Sequence, residues 1–227
     1  RGIQDYGARL RLFRPNARLY LGNLIIAGMA MGVFRLIFNF FVLARGFDET
    51  LLGSLVTVNS LTSLLVALPI GYLADMLGRK RSLLLAGALT SVSIALMVVV
   101  PSVPMLYAAN VLFGISQSLA AVTNSPFLME NSGEAERTYL FSFSSGLQMA
   151  SQSVGNWIGG MLPGWIAAGR GIDATSAEAY GIALLMMAGV GALGLIPLAL
   201  MRMPQLAKSQ RAVFAPITYA RANPKLL

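Results

Sequence analysis

Residues 71–87 read GYLADMLGRKRSLLLAG. In this stretch Asp75, Gly78 and three consecutive bases, residues 79–81, separate two segments that are otherwise apolar. A charged side chain inside a bilayer costs several kcal/mol, whereas at the membrane surface it costs little. The stretch therefore indicates a short polar turn between two membrane-spanning helices.

The composition supports a membrane protein. Of 227 residues, 56% are hydrophobic and only 11% are charged, where a soluble domain has about 25% charged residues. The sequence contains no cysteine and no histidine, which excludes disulfides, thiolate or imidazole metal ligands and histidine acid–base chemistry. No nucleophile–base pair or metal site can be recognised in the sequence either, so we expect no cofactor, no metal site and no enzymatic activity.

Six apolar segments are long enough to cross a membrane as helices. Each contains about 20 residues or more, and at about 1.5 Å per residue this length spans a hydrocarbon core of about 30 Å. The segments are 19–42, 51–73, 82–100, 105–129, 139–167 and 180–201. The predicted fold is therefore an all-α membrane protein with six transmembrane helices.

The basic residues predict the orientation of these helices. Fourteen of the 17 lysines and arginines fall before the first segment, between the second and third, between the fourth and fifth, or after the sixth. The positive-inside rule then places both termini in the cytoplasm, as expected for a cell-membrane protein. This distribution explains the net charge of +8 as a topology signal and argues against nucleic-acid binding.

The polarity of the segments predicts a three-plus-three inverted repeat. The third and sixth segments are the least polar, whereas the first and fourth both carry amides and the first also carries an arginine. In an inverted repeat, equivalent helices have equivalent surroundings. We therefore expect the first and fourth helices to face inward and the third and sixth to face lipid.

The opening stretch also resembles the loop between the second and third helices of major facilitator superfamily transporters. The matching residues are Gly71, Leu73, Ala74, Asp75, Gly78, Arg79, Lys80 and Arg81. Met76 and Leu77 depart from the family pattern, which commonly has a base after the acid and an aromatic residue before the second glycine. The resemblance implies the N-terminal six-helix bundle of a transporter that works by alternating access.

The same resemblance implies a cytoplasmic gate. Gly71 would allow a neighbouring helix to approach, Gly78 would allow a tight backbone turn, and Asp75 would accept hydrogen bonds from a helix N-terminus of a second six-helix half. Arg79 can pair with Glu130 at the end of the fourth segment. The predicted gate residues are Gly71, Asp75, Gly78, Arg79, Arg81, Glu130 and Arg137, and the alternative for Glu130 and Arg137 is a solvated loop.

Arg35 is the only charged residue well inside an apolar segment. Gly28, Gly32, Arg35 and Asn39 recur on one face of the first helix. An intramembrane arginine marks a functional site by default, and its guanidinium suits a carboxylate, a phosphate or a pair of sugar hydroxyls. The alternative is that Arg35 extends to the outer interface and only anchors the helix.

Amides follow one face of three further helices. Each could form an interhelical hydrogen bond of about 0.6 kcal/mol or contact a substrate, but together they favour a hydrated cavity. The predicted substrate-binding residues are Arg35, Asn39, Asn59, Asn110, Gln117, Gln148 and Gln152. Gly28-x-x-x-Gly32 and Gly155-x-x-x-Gly159 are more typical of tight helix packing than of ligand binding.

The mechanism of energy coupling is not predicted by these residues. No aspartate or glutamate lies in the middle of any segment. Asn110 stands where the family often has an arginine, and Asn156 stands where the antiporter signature has a proline. The sequence therefore does not favour proton coupling or antiport.

We divide the chain into a cytoplasmic N-terminal segment (1–18), a six-helix bundle (19–201) and a basic cytoplasmic tail (202–227). The expected partners are a small-molecule solute, the lipid bilayer and a second six-helix bundle, which is either the rest of a twelve-helix protein or a pairing protomer. The predicted function is transport of an anionic or polyhydroxylated solute. The alternatives are export of lipophilic drug-like compounds, or a non-transporting receptor or scaffold with the same fold.

Overall fold

The computed structural model of this chain describes residues 14–202, which form helices and short turns without a β-strand in that range. The predicted tail and most of the predicted N-terminal segment lie outside these residues. The helices are α1 (Pro15–Ala44), α2 (Glu49–Leu77), α3 (Arg79–Val99), α4 (Val103–Glu130), α5 (Glu134–Arg170), α6 (Ala177–Leu193) and α7 (Leu195–Leu200).

Local sequence explains several helix ends. Pro15 is the first residue of α1, where its missing N–H costs nothing. The side chain of Asp48 accepts a hydrogen bond from the Leu51 N–H at the start of α2, and Ser176 does the same for Ala179 at the start of α6. Gly78 ends α2 with φ +81° and ψ 156°, a conformation that is essentially restricted to glycine. The predicted role of Gly78 as a backbone turn is therefore confirmed.

All six predicted segments are helical, and each helix begins two to five residues before the predicted apolar run. The sixth segment is divided at Gly194 into α6 and α7, close to Pro197. Five helices of the described chain are long and apolar enough to span a membrane, with α6 and α7 counted as one. The exception is α5, because amides and serines recur along its 37 residues.

Two sets of helix contacts organise the bundle. α1 packs mainly on α5 and then on α6, whereas α4 packs mainly on α2 and α3. α3 and α6 also contact each other. The largest apolar cluster, around Phe41, Leu106 and Leu184, fills one half of the bundle, and a second cluster around Tyr20 and Phe127 fills the other.

Long-range hydrogen bonds bring the predicted inner loops to one end of the bundle. The Arg14 guanidinium donates to the Glu130 carbonyl, and Asn16 exchanges hydrogen bonds with the backbone of Arg202. Seven bases and four acids of the described chain lie at this end, which we call the basic end. The opposite end has two bases and four acids.

Candidate functional site

The seam between α1 and α5 positions the predicted substrate-binding residues that these two helices carry. A Cβ at Gly28 would lie 2.8 Å from the Cβ of Ser151, and a Cβ at Gly32 would overlap the carbonyl oxygen of Gln152. From the other side, a Cβ at Gly155 would overlap the carbonyl of Met29. These glycines therefore allow backbone contact, as the spacing predicted. The seam holds Arg35, one turn after Gly32, on the same wall as Gln152.

A large open cavity lies on the face formed by α1, α2 and α4. Its volume is about 760 Å³. Five of the seven predicted substrate-binding residues line it: Arg35, Asn39, Asn59, Asn110 and Gln117. The remaining two, Gln148 and Gln152, line a smaller, more enclosed cavity of about 160 Å³. Arg35 and Gln117 line both cavities, so these two side chains lie at the boundary between them.

Arg35 is exposed in the bundle and faces the two cavities. Within residues 14–202 it makes no hydrogen bond, ion pair or ring contact. Nine residues, or about 14 Å of helix, separate it from the end of α1 at Ala44. A cation at this depth without a protein partner is available to a ligand or to water.

Asn110 differs from the other predicted binding residues. Its side chain is 4% exposed and donates a 2.8 Å hydrogen bond to the Leu106 carbonyl of its own helix. The Asn59 amide reaches toward the Asn110 carbonyl at 3.4 Å, and the Tyr107 hydroxyl lies 2.6 Å from the Ser54 hydroxyl. Tyr107 and Asn110, near the start of α4, therefore hold α2 against α4. This is the interhelical hydrogen bonding that the sequence left open as the alternative to substrate contact.

The contact between α2 and α4 also depends on a glycine. A Cβ at Gly114 would lie 2.6 Å from the carbonyl oxygen of Asn59 and 3.0 Å from the Cβ of Thr62. α2 and α4 thus approach as closely as α1 and α5 do, and again at a small residue. Further along α4, the side chains of Gln117 and Asn124 line cavities instead of hydrogen-bonding to another helix.

An ion cluster occupies the basic end. The Arg79 guanidinium lies 2.7 Å from the Asp75 carboxylate and 2.9 Å from the Glu130 carboxylate. The Arg79 side chain is 15% exposed, whereas the two acids are 44% and 40% exposed. Arg79 therefore joins the end of α2 and the start of α3 to the end of α4. The Arg79–Glu130 pair is the one that the sequence predicted.

Other predicted gate residues are placed differently. No heavy atom of the described chain lies within 4 Å of a Cβ built at Gly71, so no helix approaches there. Asp75 accepts from Arg79, the first residue of α3, and from no further helix in the described range. Arg81 is exposed and forms no ion pair within residues 14–202. The Nε of Arg137 is buried without a hydrogen-bond partner among the described residues, so this arginine does not join the Arg79 cluster.

Sequence reasoning missed the contacts that hold the two ends of α7. The Lys80 ammonium donates to the carbonyls of Ala199 and Met201 at 2.6 and 2.7 Å. The buried amide of Asn23 donates to the Gly194 carbonyl at 2.7 Å, at the break between α6 and α7. Only the asparagine could have been suspected, because it is polar and lies in an apolar segment.

The opposite end carries a separate local arrangement. Asp173 accepts hydrogen bonds from the backbone N–H and from the hydroxyl of Thr175, both at 2.7 Å. These donors hold the pKa of the Asp173 carboxyl below its usual value. The hydrogen bonds stay within one exposed loop. Between residues 14 and 202, no cluster of three or more potential metal ligands occurs.

The five helices of residues 14–202 that are long and apolar enough to cross a membrane are typical of a multi-pass membrane protein. The family model described as the Major Facilitator Superfamily matches residues 20–227, and the chain belongs to that family. Its members are transporters rather than enzymes, and membership implies a solute and a lipid bilayer as partners. A comparison with curated proteins finds no match.

Proposed function

We propose that this chain is the N-terminal six-helix half of a transporter that moves an anionic or polyhydroxylated small solute by alternating access. Arg35 carries the proposal, because it is exposed to the cavity and has no partner within residues 14–202. A charge at the centre of a span costs about 2.5–3.5 kcal/mol. A ligand or a hydrated pathway offsets that cost, and the guanidinium can bind a carboxylate or phosphate through two parallel hydrogen bonds.

The amides extend the site around this arginine. Asn39 and Gln117 line the open cavity beside Arg35, and each side chain offers donors and an acceptor. Asn59 also lines this cavity, and its amide makes a long 3.4 Å contact with the Asn110 carbonyl. Gln148 and Gln152 line the enclosed cavity next to it. Asn110 is assigned a structural role instead, because its amide already donates to its own helix.

We assign the ion cluster of Asp75, Arg79 and Glu130 to the cytoplasmic gate. The cluster joins three helices at the basic end, and under the positive-inside rule that end faces the cytoplasm. The ion pairs of Arg79 with Asp75 and Glu130 keep the gate closed in one state of the transporter and break in the other. We include Gly78 in this gate because its positive φ forms the turn that places Asp75 next to Arg79. We propose that Gly71, Arg81 and Arg137 contact the second bundle.

The helix contacts support the three-plus-three repeat. When the first three helices are exchanged for the last three, α1 corresponds to α4 and α5 corresponds to α2. The α1–α5 seam then corresponds to the α4–α2 seam, and both are close backbone approaches at glycine. The exchange also relates the α1–α6 contact to the α4–α3 contact.

The outer face of α2 supports a second six-helix bundle as partner. Only 6% of the most apolar part of α2 is buried, and Leu64, Leu65 and Leu68 are 72%, 75% and 83% exposed. The open cavity has no wall opposite α1, α2 and α4 in the described chain. Rocking of two bundles about a site at this position is the general mechanism of such folds.

Uptake by the intact gene product in proteoliposomes tests the proposal. The panel contains carboxylates, phosphates, sugars and lipophilic cations, and the variants are Arg35→Gln and Asp75→Asn. Arg45→Gln is the matched control, because Arg45 is exposed at the opposite end and stacks on Phe41 at 5.3 Å. We expect Arg35→Gln to reduce binding of the active solute at least tenfold, Asp75→Asn to slow turnover with binding retained, and Arg45→Gln to change neither.

Three outcomes would contradict parts of the proposal. Uptake of lipophilic cations that is unaffected by Arg35→Gln would indicate a drug exporter. Binding without uptake by the wild-type protein would indicate a receptor. Normal uptake by both variants would make Arg35 an anchor at the outer interface and would reduce the ion cluster to a topology signal.

A further inference from the structure

Three helices of the open cavity meet at one depth of the bundle. The Phe34 ring of α1 packs against the Phe113 ring of α4, with centroids 5.0 Å apart. The residue after Phe113 is Gly114, which is in close contact with α2. A Cβ built there would lie 2.6 Å from the Asn59 carbonyl oxygen and 3.3 Å from the backbone nitrogen of Ser63. These contacts bring one turn each of α1, α2 and α4 to the same level.

The polar lining of the open cavity is gathered at this level. Arg35 is the next residue after the α1 phenylalanine of the contact, and Asn39 lies one turn further along. Ser60, Ser63 and Gln117 line the cavity from the other two helices. Each of the five lies within about one and a half turns, or about 8 Å along a helix, of the contact. A compact solute that pairs with Arg35 is therefore surrounded by amides and hydroxyls.

These five side chains have no partner in the protein. Within residues 14–202, none of them makes a hydrogen bond or an ion pair. Amides and serine hydroxyls both donate and accept hydrogen bonds, as the hydroxyls of a polyhydroxylated solute do. Because an unpaired polar group inside a span is unfavourable, water or a solute must supply the missing partners. Asn59 and Asn110 contribute less, since their amides already contact backbone carbonyls.

The wall of the open cavity carries a single charge. Among the described residues that line it, Arg35 is the only ionisable one. One guanidinium pairs with one carboxylate through two parallel hydrogen bonds. A phosphate monoester carries about −1.5 to −2 charges at pH 7, so part of its charge would have no partner on this wall. The charge of the wall therefore favours a monocarboxylate over a phosphate.

The phenylalanines of the cavity offer little surface to a lipophilic solute. Phe34, Phe38 and Phe113 are 5%, 5% and 8% exposed, because their rings pack against each other within an apolar cluster. The exposed large apolar residues of the lining, Val56 and Leu64, both lie on α2. A lipophilic solute would displace water from the amides and hydroxyls without replacing its hydrogen bonds, which is unfavourable.

We propose that the solute is a polyhydroxylated monocarboxylate, with its carboxylate at Arg35 and its hydroxyls at Asn39, Ser60, Ser63 and Gln117. This inference rests on the proposed function and narrows its solute class, because it requires the anionic group and the hydroxyls on one molecule. It also adds Ser60 and Ser63 to the site. Their role is to distinguish a hydroxylated carboxylate from a plain one.

The test measures equilibrium binding and uptake of four probes by the intact gene product in proteoliposomes. The probes are gluconate, hexanoate (the same carbon chain without the hydroxyls), sorbitol (the hydroxyls without the carboxylate) and glucose 6-phosphate. The key variants are Arg35→Gln and the double variant Ser60→Ala/Ser63→Ala. The matched control is Thr57→Ala, because Thr57 is exposed on the same helix, lies outside the cavity lining and donates its hydroxyl to the Gly53 carbonyl.

We expect the wild type to bind gluconate at least about tenfold more tightly than any of the other three probes. A lost hydrogen bond between neutral groups weakens binding about two- to tenfold. The double serine variant should therefore lose about fivefold or more in affinity for gluconate, with its affinity for hexanoate unchanged. Arg35→Gln should weaken both carboxylates by at least about tenfold, and Thr57→Ala should change neither.

The inference is overturned if hexanoate, sorbitol or glucose 6-phosphate binds as tightly as gluconate, or if none of the four probes binds. It is also overturned if the double serine variant weakens gluconate and hexanoate equally. Failure of the proposed function gives a different pattern. In that case gluconate binds selectively and the serines distinguish it from hexanoate, but the wild-type protein does not take it up.

Discussion

Helices α1 and α2 are alike in composition but unlike in their surroundings. They contain 30 and 29 residues, and both are apolar enough to span a membrane. Half of the most apolar part of α1 is buried in the bundle, compared with 6% for α2. Hydropathy therefore identifies both as spans but does not tell which one lies at the centre.

Small residues account for the difference. Gly28 and Gly32 of α1 contact the backbone of α5, whereas a Cβ at Gly53 or Gly71 of α2 would meet nothing within 4 Å. α2 packs against α4 instead, where the close approach is at a glycine of the other helix, Gly114, beside the Ser54–Tyr107 hydrogen bond. Association of helices in lipid depends on close packing and not on hydrophobicity, so the glycine-rich face of α1 makes it the central helix.

The largest expected effect comes from the α1–α5 seam. Gly32→Leu places a side chain where the Gln152 carbonyl lies, so the two backbones must separate. We expect a loss of at least about 3 kcal/mol of stability, or failure to recover a monodisperse protein. Gly53→Leu on α2 is the control, and thermal unfolding in nanodiscs is the measurement. Equal unfolding temperatures for the two variants would refute the assignment of α1 as the central helix.

The second effect concerns the ion cluster that attaches α2 at the basic end. Arg79→Gln leaves the Asp75 and Glu130 carboxylates side by side without a cation. Because both acids are about 40% exposed, the expected loss is about 1–2 kcal/mol and smaller than for a fully buried pair. The double variant Arg79→Gln/Glu130→Gln should recover part of it. No recovery in urea or thermal titrations would mean that the acids do not repel each other there.

A smaller effect is expected for the hydrogen bond between α1 and the break after α6. Asn23→Ala leaves the buried Gly194 carbonyl without its 2.7 Å donor, which should cost about 1 kcal/mol. Asn39→Ala is the control on the same helix, since Asn39 is exposed to the cavity. Amide hydrogen exchange of residues 191–198 should increase only in the Asn23 variant. An increase in both variants would point to a general loosening of α1.

The smallest effect is expected on the outer face of α2. Leu68 is 83% exposed, so Leu68→Ala should change the stability of the bundle by less than about 0.5 kcal/mol. Leu55→Ala is the contrast, because Leu55 is fully buried on the same helix and its truncation should cost about 2–5 kcal/mol. Similar unfolding temperatures for the two alanine variants would show that the two faces of α2 do not differ.

The sequence alone predicted the helices, the close packing at the paired glycines, the turn at Gly78 and the pairing of Arg79 with Glu130. These features follow from residue types that have few alternatives, such as glycine at positive φ or a base beside an acid. Arg35 could be singled out for the same reason, since a charge inside an apolar segment is expensive. Its function is a proposal that the uptake experiment tests.

The structure shows which helices pack against each other, which the spacing of residues in the sequence does not specify. Helical periodicity places Tyr107, Asn110 and Gln117 on one face but does not say which helix lies opposite each of them. Here the first two hold α2 or their own helix, and Gln117 lines a cavity. Contacts with distant backbone carbonyls, as at Asn23, could not be predicted either, because every residue offers a carbonyl and none marks the partner.

The three bases in residues 79–81 count equally toward topology, but their side chains do different mechanical work. Arg79 links helices through carboxylates, Arg81 faces outward, and Lys80 holds the carbonyls of Ala199 and Met201. The Ala199 and Met201 carbonyls at the end of α7 are thereby fastened to the first turn of α3, next to the ion cluster. A displacement of the end of α7 would be transmitted through Lys80 to its neighbour Arg79, so this contact couples the last described helix to the ion pairs that join α2, α3 and α4.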